Sequence, residues 1–362
     1  MSLRPLADAR RHGGPGGPEQ GLLELFHGPT AAFKDYAARF LARALAALPA
    51  EGERHVLVAT SGDTGSAVAA AFHRRPGFRV TLLYPAEGVS PRQAHLLGCF
   101  GDNVRAFEVR GSFDDAQRLV KEALGDPDLR AHAGLTSANS ISLGRLLPQM
   151  AWFALAALRH RAGAETPPGF IIPSGNFGHG LACLWAREMG LPIGDVLLAT
   201  NRNRALVDWI RTGRAEPRAT LRTPANAMDV GIPSNLERLR ARHPDPAPLR
   251  LATGGFLDAR AVDDEAIRET LAEAPRRWGV VVCPHTACAL HLLGELRDAG
   301  DPRPWIALAT AHPAKFPEVV EPRIGERVPS SPGVDALLER PASAEPLEPD
   351  PGALTHILRR SR

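Results

Sequence analysis

Only three of the chain's 43 basic residues are lysines, Lys34, Lys121 and Lys315; the rest are arginines. Where arginine supplies nearly all the positive charge, a lysine stands out as an amine. A guanidinium stays protonated and cannot condense with a carbonyl, whereas a desolvated lysine can lose its proton and attack one. Lys34 lies in LELFHGPTAAFKDYAARF (residues 23–40), near the start of a helix after the turn His27-Gly28-Pro29-Thr30. Ala32 and Phe33 precede it, and apolar neighbours penalise a lysine's charged form. Asp35 would oppose that effect, but a residue adjacent in sequence need not face the same way. Lys121 sits on an amphipathic helix and reads as solvated. Lys315 reads equally as an anion binder or as a surface residue at a helix start.

Two strand-to-helix loops are suited to anions. VATSGDTGSAVAAAF (residues 58–72) runs through Thr60-Ser61-Gly62-Asp63-Thr64-Gly65 into a helix of small residues. Its glycines allow close backbone approach, and its hydroxyls and helix-start N–H groups donate hydrogen bonds. FIIPSGNFGHGLACLWAREMG (residues 170–190) places Ser174-Gly175-Asn176-Phe177-Gly178 ahead of another helix, a phosphate cradle in principle. No Gly-Lys-Ser/Thr follows, so it is not a Walker A loop, and GNFGHG lacks the GxGxxG spacing. His179, just after this loop, reads as a helix-start residue facing solvent rather than as one that alters which substrate is accommodated. In LTSANSISLGRLLPQM (residues 135–150), Ser137, Asn139 and Ser140 precede a helix carrying Arg145, which could pair with a phosphate or carboxylate. In LATAHPAKFPEVV (residues 308–320), the Thr310 hydroxyl ends a strand. Such a hydroxyl could meet a pyridine nitrogen and keep it unprotonated.

The elements that must position these loops alternate. Strands are expected at His55–Thr60, Arg79–Pro85, Asn103–Arg110, Phe170–Pro173, Asp195–Thr200, Gly279–Cys283 and Trp305–Thr310. Amphipathic helices are expected at Phe33–Leu48, Phe113–Leu124, Ser142–Arg159, Gly178–Met189, Asp263–Glu273 and Thr286–Asp298. This alternation implies βαβ units, an α/β fold with parallel sheets, and ligand loops gathered at one sheet edge. There is no internal repeat. Residues 1–21, rich in Gly, Pro and Arg, read as a flexible leader, and the Pro-rich stretch 330–362 as a surface tail ending in a short helix.

Composition excludes several classes. A hydrophobic content of 44 % and a charged content of 23 % are those of a globular chain. No run approaches the roughly 18 apolar residues of a membrane span, and the N-terminus has no signal-like apolar region. The net charge of +3, with basic residues scattered, speaks against nucleic acid. Cys99, Cys183, Cys283 and Cys288 are not spaced for a metal or redox pair, so they read as reduced thiols of a cytoplasmic protein that binds no metal.

Taken together, ELFHGPTAAFKDYAARF, TSGDTGSAV, SANSISLGRLLPQ, PSGNFGHG, NAMDVGIPSNLERL (residues 226–239), PHTA (residues 284–287) and TAHPAKFPE resemble the threonine synthases. These are pyridoxal-phosphate enzymes of the tryptophan-synthase-β-like fold, fold type II. The resemblance covers residues 22–325. It implies two lobes, each a mainly parallel sheet flanked by helices: a larger cofactor-binding lobe of residues 22–54 and 150–329, and a smaller one of 55–149. It implies pyridoxal 5′-phosphate as a Schiff base on Lys34, with the cofactor phosphate on Gly175, Asn176, Phe177 and Gly178. Asp63 would then meet the ring hydroxyl and Thr310 the ring nitrogen. Asn139, Ser140 and Arg145, with Ser61 and Thr64, would hold the substrate.

The implied reaction takes a small phosphorylated amino acid, O-phospho-L-homoserine, with water to L-threonine and phosphate. It needs no nucleic acid or membrane partner and suits a monomer or homodimer. Alternatives are a phospho-lyase or β-replacement enzyme acting on a related amino acid, and a non-catalytic scaffold. Members of the family usually carry a small N-terminal region ahead of the lysine segment; the resemblance implies that it is lacking here, as in a naturally shortened paralogue or a fragment with a misassigned start.

Overall fold

The strand–helix alternation builds two sheets, because the chain leaves and re-enters each of two units. A computed structural model describes residues 1–6, 8, 20–50 and 52–360. The first unit is Met1–His27 with Gln149–Pro329, and the second is Gly28–Pro148 with Ser330–Arg362.

In the first unit the sheet runs Ser2–Pro5, Gln20–Glu24, Trp305–Ala309, Gly169–Pro173, Val196–Thr200, Leu257–Ala261. Only the first pair is antiparallel. The three strands in the middle of the parallel run are buried along their whole length, which is why they read as continuous apolar runs without alternation. Helix Pro284–Asp298, buried on most of its circumference, packs along them. The expected strand Gly279–Cys283 is not in the sheet. Gly279 turns at φ +67°, Val280 and Val282 are buried, and Cys283 already caps the helix. Both neighbours of Trp305–Ala309 are already Gln20–Glu24 and Gly169–Pro173. Residues Ser2–Pro5, inside the expected leader, form an edge strand; most of the rest of that leader lies outside the described residues.

In the second unit five parallel strands are ordered Glu345–Leu347, Val104–Val109, Phe78–Pro85, Arg54–Ala59, Leu135–Ser137. Side chains alternate across this sheet. Val56, Val58, Val80 and Leu82 enter one core with Phe72 and Leu96, while Leu57, Ala59 and Leu83 enter the other with Phe107 and Leu119.

The chain is divided differently from the expected lobes. Residues 28–54 group with the smaller sheet: helix Lys34–Ala47 packs on helix Asp63–Phe72, and Ala38, Leu41 and Ala42 enter its core. Residues 330–360 are part of the same unit and not a surface tail. Val334 and Leu337 fill one core, Leu347, Leu354 and Leu358 fill the other, and Glu345–Leu347 adds a strand. The closing helix, Pro351–Arg360, is where a short helix was expected. The expected helix Ser142–Arg159 is broken into Leu143–Leu146, a 3-10 turn Leu147–Gln149 and Met150–Arg161. Pro148 has no N–H to continue the ladder, and the chain changes unit at that point.

Candidate functional site

In the second unit the lysine turn is closed by the residue after the lysine. Asp35 is buried, accepting the Thr30 N–H at 2.9 Å and the Thr30 hydroxyl at 2.6 Å. A Cβ on Gly28 would lie 2.4 Å from an Asp35 carboxylate oxygen, so only glycine fits there. With Asp35 engaged on the turn, Lys34 points elsewhere. Its Nζ lies 3.6 Å from Asp63 Oδ2, with its side chain 16 % exposed, and sits 4.9 Å from the centre of the Phe33 ring.

Asp63 is placed by the SGDTG turn. Thr60 Oγ1 accepts the N–H groups of Gly62 (3.0 Å) and Gly65 (2.8 Å), folding the turn onto the first residues of helix Asp63–Phe72. Gly62 stands at φ +141°, which an L side chain rarely adopts. Ser61 and Thr64 are partly exposed on this turn. Asn139 joins the same edge by donating its amide to the Ala59 carbonyl at 3.0 Å, with partly exposed Ser140 following. Arg145 is 1 % exposed, and its Nη1 donates to the Ala138 carbonyl at 2.6 Å. Burial pushes its pKa down to about 10 against the pull of Asp35. Arg145 therefore braces the Ser137–Ser140 segment from within.

In the first unit the strand Gly169–Pro173 feeds Ser174–Phe177 and helix Gly178–Glu188. The N–H groups of Gly175, Phe177 and Gly178 have no acceptor among the described residues, and neither does the buried Ser174 hydroxyl. Phe177, buried, stands in the left-handed region at φ +62°. Successive N–H groups at a right-to-left-handed turn and a helix N-terminus form a concave anion seat. Asn176 is held from segment 226–235: its Oδ1 accepts the Ser234 N–H and its carbonyl accepts the Asn235 amide at 3.0 Å. A Cβ on Gly175 would fall 2.6 Å from Met228 Cα. The register of Trp305–Ala309 on Gly169–Pro173, continued past its last pair, sets Thr310 level with Ser174.

Segment 226–235 is itself tied down. The Ala227 N–H donates to His285 Nε2 at 3.1 Å, leaving Nδ1 as the protonated nitrogen, 3.7 Å from Cys283 Sγ. Asp229 accepts from the Thr223 N–H and hydroxyl, Asn201 and Asn203. Burial pushes its pKa up to about 7, although the Thr223 and Asn201 donors pull it down.

Two sequence expectations are corrected here. His179 does not face solvent: it is 5 % exposed, accepts the Trp152 indole N–H at 2.9 Å and packs edge-on to that ring. Lys315 is buried, so its surface reading fails, while Lys121 is exposed as expected. Sequence reasoning missed Asp35, Thr60 and Asn235 as builders of the site. Asp35 and Thr60 lie inside the quoted motifs, so their polarity next to a turn was the available signal. Asn235 lies inside the quoted motif of residues 226–239, but its partner is 59 residues away, so the motif marked the segment without revealing its role.

Each unit by itself carries groups that suit pyridoxal phosphate: the first has unaccepted N–H groups and an orphan hydroxyl suited to a phosphate, and a strand-end hydroxyl at Thr310, and the second has an amine beside a buried carboxylate. All four cysteines are buried, and none is in a disulfide among the described residues. Among the described residues no group of His, Cys, Asp or Glu is placed to hold a metal, and no helix is long and apolar enough to cross a membrane.

Residues 21–310 match the profile of the pyridoxal-phosphate-dependent enzymes, and residues 286–357 that of the threonine synthase C-terminal region. The threonine synthase of Escherichia coli strain K12 is 39 % identical over 306 residues, 84 % of this chain and 70 % of that protein. The crystal structure of threonine synthase from Escherichia coli superposes with a TM-score of 0.85 at 37 % identity, covering 95 % of this chain and 78 % of that one. The pyridoxal-phosphate-bound threonine synthase from Brucella melitensis superposes at 0.81 with 34 % identity, covering 94 % and 78 %.

Proposed function

We propose, from the premise that this chain belongs to the threonine synthase family of pyridoxal-phosphate-dependent enzymes, that it converts O-phospho-L-homoserine and water to L-threonine and phosphate. The observation that carries this reading is the Lys34 amine, held 3.6 Å from buried Asp63 on a turn that Asp35 closes. Pyridoxal 5′-phosphate is the cofactor, and when bound it accepts the electron pair left at the substrate's α-carbon.

Lys34 would hold the cofactor's aldehyde carbon at rest. In the reaction the Lys34 amine would act as the base for the Cα proton, take a proton from Cβ, deliver one to Cγ and return one to Cα. Phosphate leaves Cγ and a water oxygen adds at Cβ. Asp63 is assigned to the cofactor's ring hydroxyl and Thr310 to its ring nitrogen. The backbone of Gly175, Asn176, Phe177 and Gly178 is assigned to its phosphate. Ser61, Thr64, Asn139, Ser140 and Arg145 would hold the substrate, Arg145 while also bracing Ala138. The four cysteines, none in a disulfide among the described residues, support a reducing compartment, the cytoplasm, and the reading suits a monomer or homodimer.

The test supplies O-phospho-L-homoserine to the purified protein and assays phosphate, threonine and 2-oxobutyrate separately. Equal amounts of phosphate and threonine are expected, with none from Lys34→Ala. Phosphate accompanied by 2-oxobutyrate would instead mark a phospho-lyase, and a protein unable to take up cofactor would be a scaffold.

A further inference from the structure

The cradle's orientation depends on a residue outside it. Asn176 C=O and Phe177 N–H belong to one peptide, which is trans like every other described peptide bond, so the two groups point in opposite directions. Asn235 Nδ2 donates to that carbonyl at 3.0 Å. The Phe177 N–H, which has no acceptor among the described residues, therefore faces away from segment 226–235 and into the concave side of the loop. Phe177 stands at φ +62°, a position that non-glycine residues seldom occupy, so this backbone needs outside support. The direction of the Asn235 amide is set in turn. Arg238 Nη1, which can only donate, lies 2.9 Å from Asn235 Oδ1, leaving Nδ2 for the Asn176 carbonyl. Ser234 N–H holds the Asn176 side chain from the same segment.

We propose that Asn235 is a positioning residue for the cofactor phosphate: it locks the Asn176–Phe177 peptide so that the Phe177 N–H faces the phosphate, and Arg238 fixes its amide. This rests on the reading that the Gly175–Gly178 loop holds the phosphate. Asn235→Asp keeps the shape but replaces the donor with a second acceptor, which repels the Asn176 carbonyl and favours the flipped peptide.

The experiment titrates the purified protein, without cofactor, with pyridoxal 5′-phosphate and separately with pyridoxal, which lacks the phosphate. It then follows the ³¹P signal of bound pyridoxal 5′-phosphate against pH. Wild type should prefer the phosphorylated form strongly, with a ³¹P shift constant across the range near pH 6 where a free phosphate monoester changes protonation. In Asn235→Asp, affinity for pyridoxal 5′-phosphate should fall at least about tenfold, the scale of one lost charge-assisted hydrogen bond, and its ³¹P signal should titrate. Affinity for pyridoxal should be unchanged. Arg238→Met, which leaves the loop and Asn235 in place, should show the same pattern more weakly and covers the case in which Asn235→Asp does not fold. Variants that keep the wild-type preference and constant signal overturn the role of Asn235. A wild type that binds pyridoxal as tightly as its phosphate instead overturns the phosphate reading on which that role rests.

Discussion

At the scale of single residues, Lys34 and Asp35 divide one problem. The helix start must present an amine while the turn before it stays closed, and Asp35 does the second task so that Lys34 is free for the first. Asp35→Ala leaves the Thr30 N–H and hydroxyl without their buried acceptor. We expect a loss of about 2–3 kcal/mol in denaturant-measured stability of the protein, together with weaker cofactor attachment. Borohydride reduction followed by peptide mass analysis should place the cofactor on Lys34 in wild type and on no residue in Lys34→Ala; attachment at Lys121 or Lys315 would contradict the assignment. The sequence singled out Lys34 for this proposal because residue type alone restricts which side chain can form a Schiff base. It could not show that Arg145 and Lys315 are buried or that His179 accepts a bond from an indole. Those facts depend on partners distant in sequence, and a polar residue near a loop reads the same whether it faces solvent or a neighbouring helix.

At the scale of elements, strands and loops follow local pattern, while their fine placement depends on close approach. Gly175 packs against the Met228 backbone, so Gly175→Ala should push the loop off segment 226–235. Equilibrium dialysis should show a fall in affinity for pyridoxal 5′-phosphate of at least tenfold, with the fold preserved by circular dichroism. The strand Arg54–Ala59 carries a different liability. His55 is buried in it, with Nε2 2.7 Å from Thr81 Oγ1, and burial, reinforced by Arg79 and Arg105, pushes its pKa from 6.5 down to about 4. The unfolded chain binds the proton first, so stability is whole above pH 6.5, falls as pH drops toward 4 and then levels. The effect is on the order of 3 kcal/mol. Subtracting the stability of His55→Asn from that of wild type across this range isolates it, and a flat difference would remove His55 as the cause. The alternating strand here was legible from composition, whereas Gly279–Cys283 was not, since a short buried apolar run looks alike in a strand and in a helix approach.

At the scale of the whole molecule, the chain passes from one unit to the other three times, after His27, after Pro148 and after Pro329. Motif order and spacing made the family readable, but not this partition. It is set by which distant segments share a core, and the Pro-rich composition of residues 330–350 masked Val334, Leu337 and Leu347 as core residues. Cutting the chain after Pro329 removes five buried apolar side chains from the lysine-bearing unit, each worth about 2–5 kcal/mol as a large-to-small loss. We expect such a protein to lose amide protection throughout residues 28–148 in hydrogen exchange; protection equal to that of the full chain would show that the segment is dispensable. Gly333 gives the dependence a local form, since a Cβ there would lie 2.8 Å from the carbonyl of Pro29 in the lysine turn. In genetic terms, a stop codon just beyond Pro329 would spare every residue assigned to cofactor or substrate. It would nonetheless behave as a null allele, because the unit that carries Lys34 lacks part of its core until the ribosome has delivered the helix Pro351–Arg360.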